Sequence, residues 1–151
     1  MQRVLGVARS MTSIDDPPVR EFLSAGTRTG KVAWVAADGA PHVAPIWFVL
    51  DGGDVVFNTG SDTGKGRALA REGRASLVVD DQQPPFSFVK VDGSVTLSGD
   101  LPEVRRFATL IGGRYMSADR AEEFGNRNGV PGELLVRLHV KRVSAVFGIA
   151  D

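Results

Sequence analysis

The chain has 151 residues, 42% of them hydrophobic, and its eighteen Lys plus Arg are balanced by eighteen Asp plus Glu. That length fits one domain with a sizeable core, and the cancelled charge excludes a global field for nucleic acid or anionic lipid, so any anion binding has to be local. The lack of cysteine excludes disulfides, thiolate metal sites and a thiol nucleophile, and no stretch approaches the roughly 20 apolar residues that span a bilayer. Arg9 and Ser10 end the first apolar run too early for a signal peptide, so a cytoplasmic protein is expected, with neither nucleic acid nor membrane as partner.

Residues 1–16 show no sustained period and predict a flexible arm ahead of a single domain over 17–151. Asp16-Pro17-Pro18 opens a short helix through Val19, Phe22 and Leu23, which Gly26 stops. From Lys31 the period falls to two. Val32, Trp34 and Ala36 form a strand, Asp38-Gly39 a hairpin turn, and His42 to Leu50 a second strand. Asp51-Gly52-Gly53-Asp54 turns the chain into a third strand, Val55 to Thr59, so three strands in succession predict an antiparallel meander.

Thr63 to Glu72 has helical character and Gly73 terminates it; Arg74 to Asp80 is β-like again. After the Pro84-Pro85 loop, Phe86 to Val91 and Ser94 to Ser98 read as a hairpin about Asp92-Gly93. Asp100 and Glu103 resemble a capping box for a helix whose Val104, Phe107, Ala108 and Ile111 make one buried stripe. A polar helical stretch follows over 117–127, and Leu134 to Ile149 closes the chain as β structure. The sum is a mostly β domain of six or seven mainly antiparallel strands with two or three inserted helices. Such an order predicts a small barrel decorated at its ends, with a sandwich carrying appended helices as the other arrangement the pattern allows.

Familiar catalytic motifs are missing. Gly60, Gly64, Lys65 and Gly66 fail the Walker spacing, no G-x-G-x-x-G follows a strand, and no Gly-x-Ser-x-Gly elbow occurs. His42 and His139 lack metal-ligand spacing, so no metal is expected. Asp38, Asp51, Asp54, Asp92 and Asp100 all fall at turns or caps, where turn chemistry explains them. No catalytic side chain is therefore assigned, as in an enzyme that leaves the chemistry to a cofactor.

The stretch from Asn58 to Arg67 is different. A strand that ends in Thr59, Ser61 and Thr63 hydroxyls and then opens a helix with Gly64, Lys65 and Gly66 offers free backbone N–H groups beside a cation, which is what a phosphate needs. Lys65 is the leading candidate, a solvated helix-start lysine being the plain alternative. Arg67 and Arg71 share a helix face and could extend the positive surface.

Taken in order, Pro41-His42-Val43-Ala44-Pro45-Ile46-Trp47-Phe48, Val55-Val56-Phe57-Asn58-Thr59, Lys65 with Leu69, and Arg74 to Asp80 resemble the pyridoxamine-phosphate-oxidase-like, flavin-binding split β-barrel superfamily. The resemblance covers about residues 19–148. It implies a homodimer with cofactor clefts at the interface, the phosphate held by the Lys65 loop and the ring lying along Val43, Ala44, Pro45 and Ile46 near Asn58 and Thr59. Val43 and Phe48 stand where flavin-phosphate oxidases of this family carry an arginine and a lysine. The Pro45-Ile46-Trp47-Phe48 run instead resembles the branch that binds the deazaflavin F420, found chiefly in actinomycetes and archaea. The expectation is therefore an F420-dependent reductase of a small conjugated substrate, with an FMN flavoprotein or a non-catalytic binder of a tetrapyrrole or of the coenzyme as alternatives. Trp47 has a plainer role open to it as a buried aromatic in barrel packing.

Overall fold

The computed structural model describes residues 13–149. Residues 1–12 of the expected arm lie outside the described residues, whereas Ile14 is buried in the core. Among the described residues seven strands form one antiparallel sheet: β1 Gly30–Val35, β2 Pro41–Ile46, β3 Val49–Asp51, β4 Asp54–Gly60, β5 Arg74–Asp80, β6 Phe88–Ser98 and β7 Glu133–Val146. Their order is β2-β1-β5-β6-β7-β4-β3. Four α-helices accompany them among the described residues: α1 Pro17–Ser24, α2 Gly64–Glu72, α3 Leu101–Met116 and α4 Ala121–Asn128. All four segments that read as helical in the sequence complete helices, one more than the upper end of the two or three summed there. No helix among the described residues is long and apolar enough to cross a membrane.

The expected three-strand meander is corrected by this order. Ile46, Phe48 and Leu50 keep a period of two, which predicts one strand, but the chain breaks at Trp47-Phe48 and its halves pair at opposite edges of the sheet. Only three virtual Cα bonds separate Ile46 from Val49, a span of at most about 11 Å, so the sheet has to curl until its edges are neighbours. The result is a barrel split between β2 and β3.

Alternate residues fill the barrel. Val32, Val55, Phe57, Leu77, Val79, Val89, Val91, Val136 and Leu138 form one buried cluster with Val19 and Leu23 of α1 and Leu69 of α2. On the outer face of β4 and β7, Val56 and Leu135 pack against Val104 and Phe107 of α3. Burying one such side chain contributes about 1.5–3 kcal/mol, so the α3 stripe suffices to fix that helix across the split side of the barrel.

Two local readings also change. Asp92-Gly93 is not a hairpin turn; β6 runs straight through it, with a bulge there against β7. Gly93 fits because its backbone lies against the His139 carbonyl, where a methyl would overlap the oxygen, so the glycine marks close approach and not reversal. Asp100 is the N-cap of α3 without a side-chain cap bond. Glu103 bonds Arg137 (3.2 Å) in place of closing a capping box.

Candidate functional site

The broken strand builds one wall. Phe48 turns into the core while Trp47 turns outward, stacked on Tyr115 with ring centroids 5.1 Å apart and planes 4° from parallel, and tilted against Phe124 at 6.0 Å. The end of α3 pins this corner. Arg114 donates to the carbonyls of Phe48 (2.7 Å), Leu23 (2.8 Å) and Gly26 (3.0 Å), and Tyr115 donates to the Arg28 carbonyl (2.8 Å) while accepting the Phe48 N–H (3.4 Å). Burial, partly offset by the neighbouring phenol, lowers the Arg114 pKa, and burial raises that of Tyr115. Neither residue was expected from the sequence, because an Arg-Tyr pair at a helix end carries no local signature.

The opposite wall follows from alternation along β4. Val55, Phe57 and Thr59 point into the barrel, so Val56 and Asn58 face out. The Asn58 Nδ2 atom is buried and has no hydrogen-bond partner among the described residues. Buried amide groups are almost always paired, so this donor is available to a bound group. Beyond β4 the turn leads to α2, with Thr63 as N-cap. Its hydroxyl accepts from the Gly66 N–H (2.9 Å) and donates to the Gly60 carbonyl (2.8 Å).

Between the walls lies a cavity of about 420 Å³, within the roughly 300–1,000 Å³ usual for small-molecule sites. Pro45, Ile46 and Trp47 line one side, Asn58 and Lys65 the other, and Thr29, Ile111, Asn128 and Glu133 complete it. Lys65 makes no hydrogen bond or ion pair among the described residues. Its pKa is lowered, chiefly by burial, with the Glu133 charge opposing that shift. Glu133 is raised, first by burial and then by repulsion from Asp62, with Lys65 pulling the other way. Burial thus pushes both groups toward their neutral forms, and the charge of each opposes the shift of the other.

Of the expected ligand-binding residues, Pro45, Ile46, Trp47, Asn58 and Lys65 meet in this one cavity. The others sit elsewhere. Thr59 points inward with its hydroxyl 3.4 Å from that of Thr63, and Thr63 is spent on capping α2. The Ser61 N–H donates to the Gly132 carbonyl (2.8 Å), and Gly64 is exposed at the first position of α2. Arg67 donates to the Asp62 carbonyl, and Arg71 is held by the Val35 carbonyl (2.8 Å) and Glu72 (3.2 Å), so neither lines the cavity. Ala44 lies on the inner face of β2, and Val43, 67% exposed, on its outer face. Glu133, at the start of β7, carries no local signal in the sequence. The Gly60–Glu133 pairing of β4 with β7 delivers it to the cavity, a long-range register that no local spacing encodes.

The histidines lie away from the cavity. His42 stacks on Trp34 at 5.7 Å, and His139 bridges Thr96 (2.8 Å) and Asp54 (2.9 Å). Among the described residues no group of three His, Cys, Asp or Glu side chains could hold a metal ion.

The family model "Pyridoxamine 5'-phosphate oxidase" matches residues 16–147. The chain belongs to that family. Solved structures repeat the fold. A conserved hypothetical protein of Mycobacterium tuberculosis is 19% identical with a TM-score of 0.76, covering 97% of this chain and 89% of its own. A protein described as an F420 reductase is 22% identical with a TM-score of 0.64, covering 82% and 94%. HutZ, a heme storage protein from Vibrio cholerae, is 17% identical with a TM-score of 0.68, covering 93% and 100%. Identities this low establish the shared split barrel and leave the ligand to the site itself. Comparison with curated proteins gives no match.

Proposed function

We propose that this chain is a cytoplasmic F420-dependent oxidoreductase that holds the deazaflavin in the cavity between Trp47 and Lys65 and passes a hydride between it and a small conjugated substrate. One observation carries the reading: two unspent donors, the buried Asn58 amide and the Lys65 amine, converge on a cavity whose far wall is Pro45, Ile46 and Trp47. A ring with carbonyl acceptors along one edge and an anionic tail uses both. When bound, the deazaflavin supplies hydride transfer from a ring carbon, so the chain needs no nucleophile, acid or base of its own. Trp47, Pro45 and Ile46 give the ring an apolar seat and exclude water, Asn58 fixes its rotation, and Lys65 anchors the anion.

At the phosphate position the charge on offer favours a diester over a monoester. Lys65 is the cation on the cavity wall and Glu133 shares that wall, so the net positive charge on offer is small. The single charge of the F420 phosphodiester suits it better than the nearly dianionic monoester of FMN. Proteins of this family are commonly dimeric, and the exposed Val43 beside Pro45 is where a second copy would complete the ring seat. A tetrapyrrole reading finds no His on the cavity wall to serve as axial ligand.

Fluorescence titration of the purified protein with F420 and with FMN tests the reading. Quenching of F420 with micromolar or tighter affinity, and weaker FMN binding, is the expected result. No quenching at saturating protein overturns it, and protein that purifies yellow with bound FMN shifts the assignment to the flavin.

A further inference from the structure

Glu133 does not belong in a simple anion pocket. It opens β7 opposite Gly60, and its Oε2 lies 3.4 Å from where a side chain on Gly60 would begin. Lys65 reaches the same cavity from α2 without forming an ion pair to it among the described residues, and Asp62, in the intervening turn, repels it. Among the described residues the remaining elements at the wall offer no charge: Asn58 comes from β4, Trp47 from the corner between β2 and β3, Ile111 from α3 and Asn128 from α4. An anion drawn to Lys65 therefore enters beside a carboxylate that already has one negative neighbour. Protonating Glu133 relieves that repulsion and converts an acceptor into an O–H donor facing the ligand.

We propose that the cavity takes up its anionic ligand together with one proton, carried on Glu133. The proton comes from solvent and forms one O–H bond on the carboxylate; no other bond changes. This inference rests on the cofactor reading above and adds a consequence to it: cofactor affinity is coupled to pH through a residue that need not take part in hydride transfer.

The test compares wild type with Glu133→Gln, titrating each with F420 and with FMN from about pH 5.5 to 8.5. Taking the ratio of the two proteins' Kd values at each pH cancels the ligand's own titration. The ratio of wild-type to variant Kd is expected near one at the acid end and to rise with pH, by up to about tenfold per unit between the free and bound pKa of Glu133. Calorimetry in two buffers of different ionisation enthalpy should show about one proton taken up by wild type and none by the variant at Glu133. A ratio independent of pH, or uniformly weaker binding by Glu133→Gln, overturns this inference and leaves the cofactor reading standing. Absence of binding by both proteins overturns the two together.

Discussion

Arg114 and Lys65 are both half-buried cations whose pKa values burial lowers, and they use their charge in opposite ways. Arg114 spends its guanidinium on three carbonyls, from α1, from the turn after it and from Phe48, and so locks the corner that aims Trp47. Lys65 donates to nothing among the described residues. A charged group withdrawn from water is normally compensated on the spot. Within one fold the spent cation is part of the architecture, and the proposed function assigns the unspent one to its ligand.

Breaking the spent cation gives the largest effect on the fold. Arg114→Ala should cost about 3 kcal/mol in denaturant unfolding, since it removes charge-assisted bonds and leaves the carbonyls to find water. Arg114→Lys should recover only part, because an ammonium cannot fork to three acceptors. If Arg114→Ala unfolds like wild type, the corner is held by packing alone.

Asn58 sharpens the same contrast on a smaller scale. Asn58→Leu removes an orphaned buried amide and should stabilise the apoprotein by about 1 kcal/mol while weakening F420 binding. Lower stability together with unchanged affinity would show that Asn58 is paired in solution and serves the fold.

The smallest effect is on pH dependence. Native Glu133 binds its proton more tightly than the unfolded chain, so stability contributed at this site is highest at low pH. It declines as pH rises from the ordinary carboxylate value, roughly 4.3, through the raised native one. Glu133→Gln should remove that decline, seen as a shallower fall in melting temperature across the window. An identical profile in the variant would mean the raised pKa carries no stability.

Local chemistry made much of this molecule readable in advance. The Asp38-Gly39 turn, the Gly73 stop in left-handed conformation after α2, and the inward set Ala75, Leu77 and Val79 follow from short-range rules. The corner at Trp47-Phe48 was hidden because the apolar period continues across it; what separates β2 from β3 is pairing at opposite sheet edges. At Asp92-Gly93 the dipeptide is the same for a turn and for a bulge, and the partner strand β7 decides. In the site, Lys65 and Asn58 stood out by their neighbours, but the Thr63 hydroxyl goes to its own helix and Glu133 arrives through strand register. Hydroxyls after a strand advertise capping as strongly as ligand binding.

The central claim is that the Lys65 amine waits for an anion. Measuring F420 affinity and melting temperature together on wild type and Lys65→Ala tests it most directly. Loss of a charge-assisted contact should weaken binding tenfold to a hundredfold, on the order of 1.5–3 kcal/mol, with the melting temperature unchanged or slightly higher. Unaltered affinity with a lowered melting temperature would show that Lys65 serves the fold, and the contrast with Arg114 would collapse.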